Sequence, residues 1–264
     1  MLKKIGRFIG ILWKGLALSA GEEMAYKASF ILLSLSLIFG DLIGPMISYA
    51  VYKISAGIPG WTLLELILLQ ATSIFVFGVW HAFLGGISWV TSDYIAEGEM
   101  DTALLKPFST IGYLMSKGMD FHGIMDVITG LALIIFVIVK LELFGVMLLP
   151  FVFLILLALI FMFSVALLLA ALSMIFVRVW ALGNIIDILG MVSSYPASIY
   201  SQGFKLAVTF VIPAAIASYW PAAVLLGKEP LSNLGFMILP VLVFLLFSLW
   251  FWGFALKRHQ SAGG

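Results

Sequence analysis

Five stretches of this sequence, at about 27–52, 62–89, 120–141, 145–176 and 233–256, stay apolar for more than 20 residues. A helix needs roughly 20 predominantly apolar residues to cross a bilayer. Nothing limits the fold more tightly. Transmembrane barrels are built from short strands that alternate polar and apolar residues, and no useful length of this chain alternates. The composition agrees, with 63% of residues hydrophobic and 10% charged. Soluble domains carry about a quarter charged residues, so this chain lacks the polar surface to cover a water-facing globule. The fold class is all-α and membrane-embedded, in a single domain over 1–264 without internal repeats.

Net charge is +1, which gives no reason to expect a nucleic-acid partner. The absence of cysteine removes thiolate catalysis, disulfides and cysteine-based metal sites. Residues 1–20 resemble a signal peptide, but Lys14 interrupts the apolar stretch and the cleavage-like LSA is weak. An amphipathic helix is expected instead. Lys3, Lys4, Arg7 and Lys14 take its wet side and Leu2, Ile5, Phe8, Ile9, Leu12, Trp13 and Leu16 its apolar side. Such a helix lies in the membrane interface.

A sixth apolar stretch, 179–200, is more polar and holds Asn184, Asp187, Ser193, Ser194 and Tyr195. Residues 204–227 are long enough to span but carry Pro213 and Pro221, each of which removes an amide donor and clashes with a preceding turn. Charge favours an even count, with 204–227 either re-entrant or spanning. If basic flanks stay in the cytoplasm, both ends are inside and the number of spans is even. Six spans satisfy this, with 204–227 as a broken re-entrant outer hairpin. Lys3, Lys4, Arg7, Lys14, Lys27, Lys106, Lys117, Arg178, Lys257 and Arg258 then lie at the inner side, with Lys53, Lys140, Lys205 and Lys228 outside.

This topology puts YIAEGEMDTALLKPFS (94–109) in the longest inner loop, between spans two and three. Span two is expected to continue as a helix to Gly98, a natural helix-ending residue. Asp101 is expected to cap a short helix that Pro107 ends. The acids of this loop resemble a calcium loop only superficially. An EF-hand requires a glutamate where Leu104 stands, and no metal site is expected. His122 and Asp126 are four apart at the start of span three and could share one helix face, but no third ligand accompanies them. No GxSxG elbow and no GxxxxGK[ST] phosphate loop occurs, so the chain is not expected to hydrolyse ATP itself.

Asp41 lies within span one, in SLSLIFGDLIGP, where an acid costs about 2.5–3.5 kcal/mol. Ser34, Gly40, Gly44 and Pro45 surround it with small or polar positions that suit close helix packing or a polar pathway. Asp187 is similar. These two acids and Tyr195 are pathway candidates, and interhelical hydrogen bonding is the alternative role for the acids.

Three stretches carry a family resemblance: MAYKASF (24–30), YIAEGEMDTALLKPFS (94–109) and YPASIYSQGFKLAVTFVIPAAIASYWPAAVLLGK (195–228). In this order on a six-span scaffold, they resemble the roughly 260-residue permease subunits of ABC-2-type transporters. Met100 stands where leucine is common. The resemblance implies an ATP-driven exporter whose ATPase is a separate subunit that binds ATP and magnesium, while this chain binds no cofactor. It implies a second permease copy or paralogue, and a position in the cell inner membrane. Tyr94, Glu97, Gly98, Glu99, Met100, Asp101, Leu104, Lys106 and Pro107 would form the coupling loop. Its acids would supply charge and caps, Met100 and Leu104 would fill a groove on the ATPase, and Gly98 and Pro107 would set the bends. A proton-coupled carrier using Asp41 and Asp187 is the rival expectation, with an intramembrane enzyme behind it.

Overall fold

The computed structural model describes residues 2–107, 109–176 and 181–259, with the side chains of 2–9 and 181–183 outside the description. Arg178 therefore lies outside it, as do the side chains of Lys3, Lys4, Arg7, Leu2, Ile5, Phe8 and Ile9. Every regular element among the described residues is helical. Five helices among them are long and apolar enough to cross a membrane: Lys27–Ile54 (α2), Leu63–Leu84, Gly123–Lys140 (α7), Leu148–Ile175 (α8) and Leu231–Arg258. The second is an α-helix, Leu63–Val79 (α3), continued by a π turn at Trp80–Leu84. The last is a short 3-10 turn leading into Leu234–Arg258 (α12).

Burial separates these helices into a centre and a periphery. More than half of the most apolar window of α3 and α8 is buried, against 11% in α2 and 17% in the last helix. Phe39, Ile43 and Met46 on α2, and Leu239, Val243 and Trp250 on α12, are exposed. A monomeric soluble protein rarely exposes so much contiguous apolar surface, which marks contact with membrane or another chain. Inside, α3 and α7 pack most closely. A methyl group on Gly130 would lie 2.5 Å from the Phe75 amide nitrogen, and one on Gly78 would lie 2.7 Å from that of Val127. Small residues let helix backbones approach where no hydrophobic effect drives them together. Pro45 interrupts the α2 ladder, and three residues on, Ser48 accepts a 2.9 Å hydrogen bond from Gln70 of α3.

Side-chain contacts sort the helix ends into two groups. At one end, Leu2–Met24 (α1) packs on Thr110–Lys117 (α6) through Gly15 and the Ser116 carbonyl. Glu23 of α1 meets His122 at 2.5 Å, and His259 beyond α12 reaches Asp101 at 3.5 Å. At the other end, Lys228 pairs with Glu65 at 3.0 Å and donates to the Gly60 carbonyl at 2.8 Å. Helix α1 is thus longer than the 1–20 expected. Of its apolar side, Leu12 and Leu16 are half-buried while Trp13 is 71% exposed.

Between α8 and α12 the chain is irregular. The sixth apolar stretch forms Ala181–Ser193 (α9), only 13 residues, or about 20 Å at 1.5 Å per residue. Residues 204–227 are broken as the prolines require. Gln202–Leu206 (α10) runs into a π turn, the chain kinks before Pro213, and a 3-10 turn at Ala214–Ala217 leads to Tyr219–Leu225 (α11). Pro221 sits in the first turn of α11, where its missing amide breaks no bond. Residues 213–225 are buried. Ser193 donates to the Ala214 carbonyl at 3.2 Å and Ser218 donates to the Ser193 carbonyl. Irregular backbone survives at membrane depth only when protein covers it and satisfies its polar groups.

Candidate functional site

The first candidate region is the loop between the second and third long helices. After the π turn the helix resumes as Gly86–Glu97 (α4) and ends at Gly98, which takes a left-handed φ of 76°. The Glu99 amide returns to the Tyr94 carbonyl at 2.8 Å, the C-terminal arrangement that glycine permits. The next helix, Met100–Leu104 (α5), begins one residue before Asp101. Asp101 is therefore not its cap. It lies in the first turn, where a carboxylate faces the positive helix end, and it also reaches His259.

Met100 is 1% exposed and packs with Ala103 in a core formed with Leu167, Ala170 and Trp252. It cannot fill a groove on another subunit in this conformation. The exposed apolar side chains here are Leu104 and, at 85% exposure, Leu105. Glu97 and Glu99 are also exposed, so an acidic, partly apolar tip projects from a base bound into α8 and α12. Tyr94 and Tyr113 join their hydroxyls at 3.1 Å across the loop, and Lys106 lies over the Tyr113 ring at 5.5 Å. Burial, then the hydrogen bond with Tyr113, pushes the Tyr94 hydroxyl up to about 12. Pro107 is exposed beyond α5.

The second region is a cavity of about 370 Å³ among the long helices. Asp41 from α2, Ser73 and Phe77 from α3, His81 from the π turn, Asp126 from α7 and Asp187 from α9 line it. The π turn, whose closing bond runs from the Gly85 amide to the Trp80 carbonyl at 2.7 Å, carries His81; such turns are frequent at functional sites. His81 Nδ1 lies 3.0 Å from Asp126 Oδ2. The expected His122–Asp126 partnership is absent. His122 turns to Glu23, because α1 folds back onto the start of α7, and Asp126 faces the π turn.

The structure thus brings Asp41 and Asp187 to one cavity and adds His81 and Asp126, which their sequence separation had hidden. Tyr195, half-exposed, does not line it. Pro213 and Pro221 are buried in the broken 204–227 segment. Asp126 Oδ1 and Asp41 Oδ2 are shielded from solvent yet have no hydrogen-bond partner among the described residues, although buried polar groups almost always find one.

A third cluster lies under α1. Among the described residues, the group of three acidic or histidine side chains with ligand atoms all within 4.8 Å is Glu23, Asp120 and His122. The sequence reading missed it, since Glu23 is remote in the chain. Its carboxylates already accept backbone hydrogen bonds, Glu23 from Phe121 at 3.1 Å and Asp120 from His122 at 2.9 Å. The Glu23 bond, with the Glu23–His122 contact, secures α1 to the base of α7.

The family described as "ABC-2 family transporter protein" matches residues 35–263, nearly the whole chain. No curated protein and no solved structure matches it.

Proposed function

This chain belongs to the ABC-2 transporter family, the membrane permeases of ABC exporters, and on that premise we propose that it is driven by a separate ATPase subunit through its 90–118 loop. ATP and magnesium bind on that partner, and this chain binds no cofactor. Two permeases, identical or related, complete the pathway. Both chain ends and the loop face the cytoplasm, with the chain in the cell inner membrane.

One observation carries the reading. The loop tip presents Glu97, Glu99 and Leu105 to solvent, while Met100, Ala103 and the Asp101–His259 contact fasten its base to α8 and α12. A partner that grips the tip therefore moves the long helices with it. Packed interfaces of this kind shift between discrete arrangements instead of deforming smoothly. The contacts that gather α1, the loop and His259 at one end also support six crossings. Between Ile175 and Leu231 the chain must then return to the outer end, a passage made by α9 with the segment after it. The buried, broken 213–225 segment supports a re-entrant hairpin near the exit, with Pro213 at its kink.

Co-purification with the partner ATPase tests this reading. The Glu97→Ala, Glu99→Ala, Leu105→Ala triple variant should insert normally yet retain the ATPase poorly; full retention would contradict it. Asp41 and Asp187 on one cavity favour a second reading, a proton-coupled carrier, since intramembrane acids serve proton relays.

A further inference from the structure

The cavity holds three carboxylic side chains and one imidazole inside a membrane protein. Among the described residues, the ion pair in the cavity joins His81 to Asp126, and it engages only one of the Asp126 oxygens. The Asp126 side chain is 10% exposed, and its Oδ1 has no donor. Asp41 Oδ2 is likewise without one. Charged groups within membrane segments almost always pair with one another or face a polar pathway. Among the described residues, what this site lacks is a cation that can donate hydrogen bonds.

We propose that the cavity binds the protonated amine of an amphiphilic organic cation, with Asp126 and Asp41 receiving the ammonium and Phe77 packing on the apolar body. The assignment rests on the exporter reading and names its substrate class. Size favours an organic cation over a bare metal ion. The cavity is about 370 Å³, within the range of small-molecule sites. Its acids are also absent from the close ligand groups of the described residues, where Glu23, Asp120 and His122 appear instead. Apolar and aromatic walls complete the fit. Phe77, Ile74, Ile186 and Met191 lie beside the acids, and an aromatic face attracts a cation. Asp187 and the exposed Met191 stand at the rim, so an amphiphile can enter from the side while its amine reaches Asp126.

Dansylcadaverine, a fluorescent apolar primary amine, is a suitable probe, and its N-acetyl derivative keeps the shape without the charge. The full chain in phosphatidylcholine nanodiscs, with empty nanodiscs as baseline and no ATPase present, should bind the amine saturably and the acetylated form at least tenfold more weakly. Asp126→Asn and, separately, Asp41→Asn should each weaken amine binding tenfold or more. Asp187→Asn, at the open rim, should weaken it less and keeps the test valid if an inner variant misfolds. Equal binding of the two probes, or unchanged binding by all three variants, overturns the proposal. Because no nucleotide is used, a failed ATPase interaction leaves this result intact. Conversely, ATP-driven transport by a chain that ignores the amine removes the substrate class alone.

Discussion

Adding one methyl group to Gly78 should separate the two helices that hold the cavity together. On Gly78 the methyl would sit 2.7 Å from the Val127 amide nitrogen and 2.8 Å from Asp126 Cβ, roughly 0.7 Å inside ordinary contact. The nearest obstacle is backbone, so no rotamer change relieves it and α3 must move from α7. Gly40, in α2, supplies the control, because a methyl there meets nothing within 4 Å. Both substitutions gain the same helix propensity, about 0.8–1 kcal/mol. Only Gly78→Ala also bears the cost of overpacking, about 1–3 kcal/mol. Gly40→Ala should therefore be more stable than the parent, and Gly78→Ala should fall below Gly40→Ala by about 1–3 kcal/mol. Equilibrium unfolding in mixed micelles, followed by tryptophan fluorescence, measures the gap. Equal stability of the two variants would refute the close α3–α7 approach.

Other outcomes follow from the helix ends and the loop. Cysteines introduced separately at Lys228 and Lys257 should label from opposite sides of the membrane, and labelling from the same side would defeat the six-crossing arrangement. Lys228→Met loses the Glu65 ion pair and the Gly60 hydrogen bond, and should lower stability by about 1 kcal/mol; an unchanged unfolding midpoint would show that this strap contributes nothing. The raised Tyr94 hydroxyl stabilises the fold while neutral. Its contribution is complete below about pH 10 and is lost as pH rises through about 12. Subtracting the ultraviolet titration of Tyr94→Phe from that of the parent should leave a tyrosine ionising near 12; a difference centred near 10 would contradict the buried contact.

The long spans were legible because their apolar runs are set by bilayer thickness and need no tertiary information. Gly98 was legible for a related reason: a left-handed helix end is a local demand that glycine meets. Asp101 was misread as a cap, since the boundary moved one residue when Met100 was drawn into the core with Ala103. The sequence marks Met100 as apolar but not which surface it covers, so its burial in this chain instead of a partner could not be read. The cavity was half visible. Asp41 and Asp187 were conspicuous by their cost in a span, whereas His81 and Asp126 come together only through the π turn and the glycine-lined α3–α7 approach. Spacing of four favoured His122 for Asp126, and a helix more than 90 residues upstream supplied Glu23 instead.

Transport in vesicles tests the ATP-driven account most directly, with the permease and its ATPase supplied either ATP or a proton gradient. The Glu97→Ala, Glu99→Ala, Leu105→Ala variant removes solvated charge and one exposed apolar contact, so its bundle should remain folded while ATP-driven transport falls severalfold. Asp41→Asn keeps a side chain of similar size but removes the titrating group. It should leave any substrate that does not need the cavity amine contact moving with ATP, and a proton gradient alone should move nothing in either variant or the parent. Normal ATP-driven transport by the loop variant, together with proton-driven transport that Asp41→Asn abolishes, would contradict the account and establish a proton-coupled carrier.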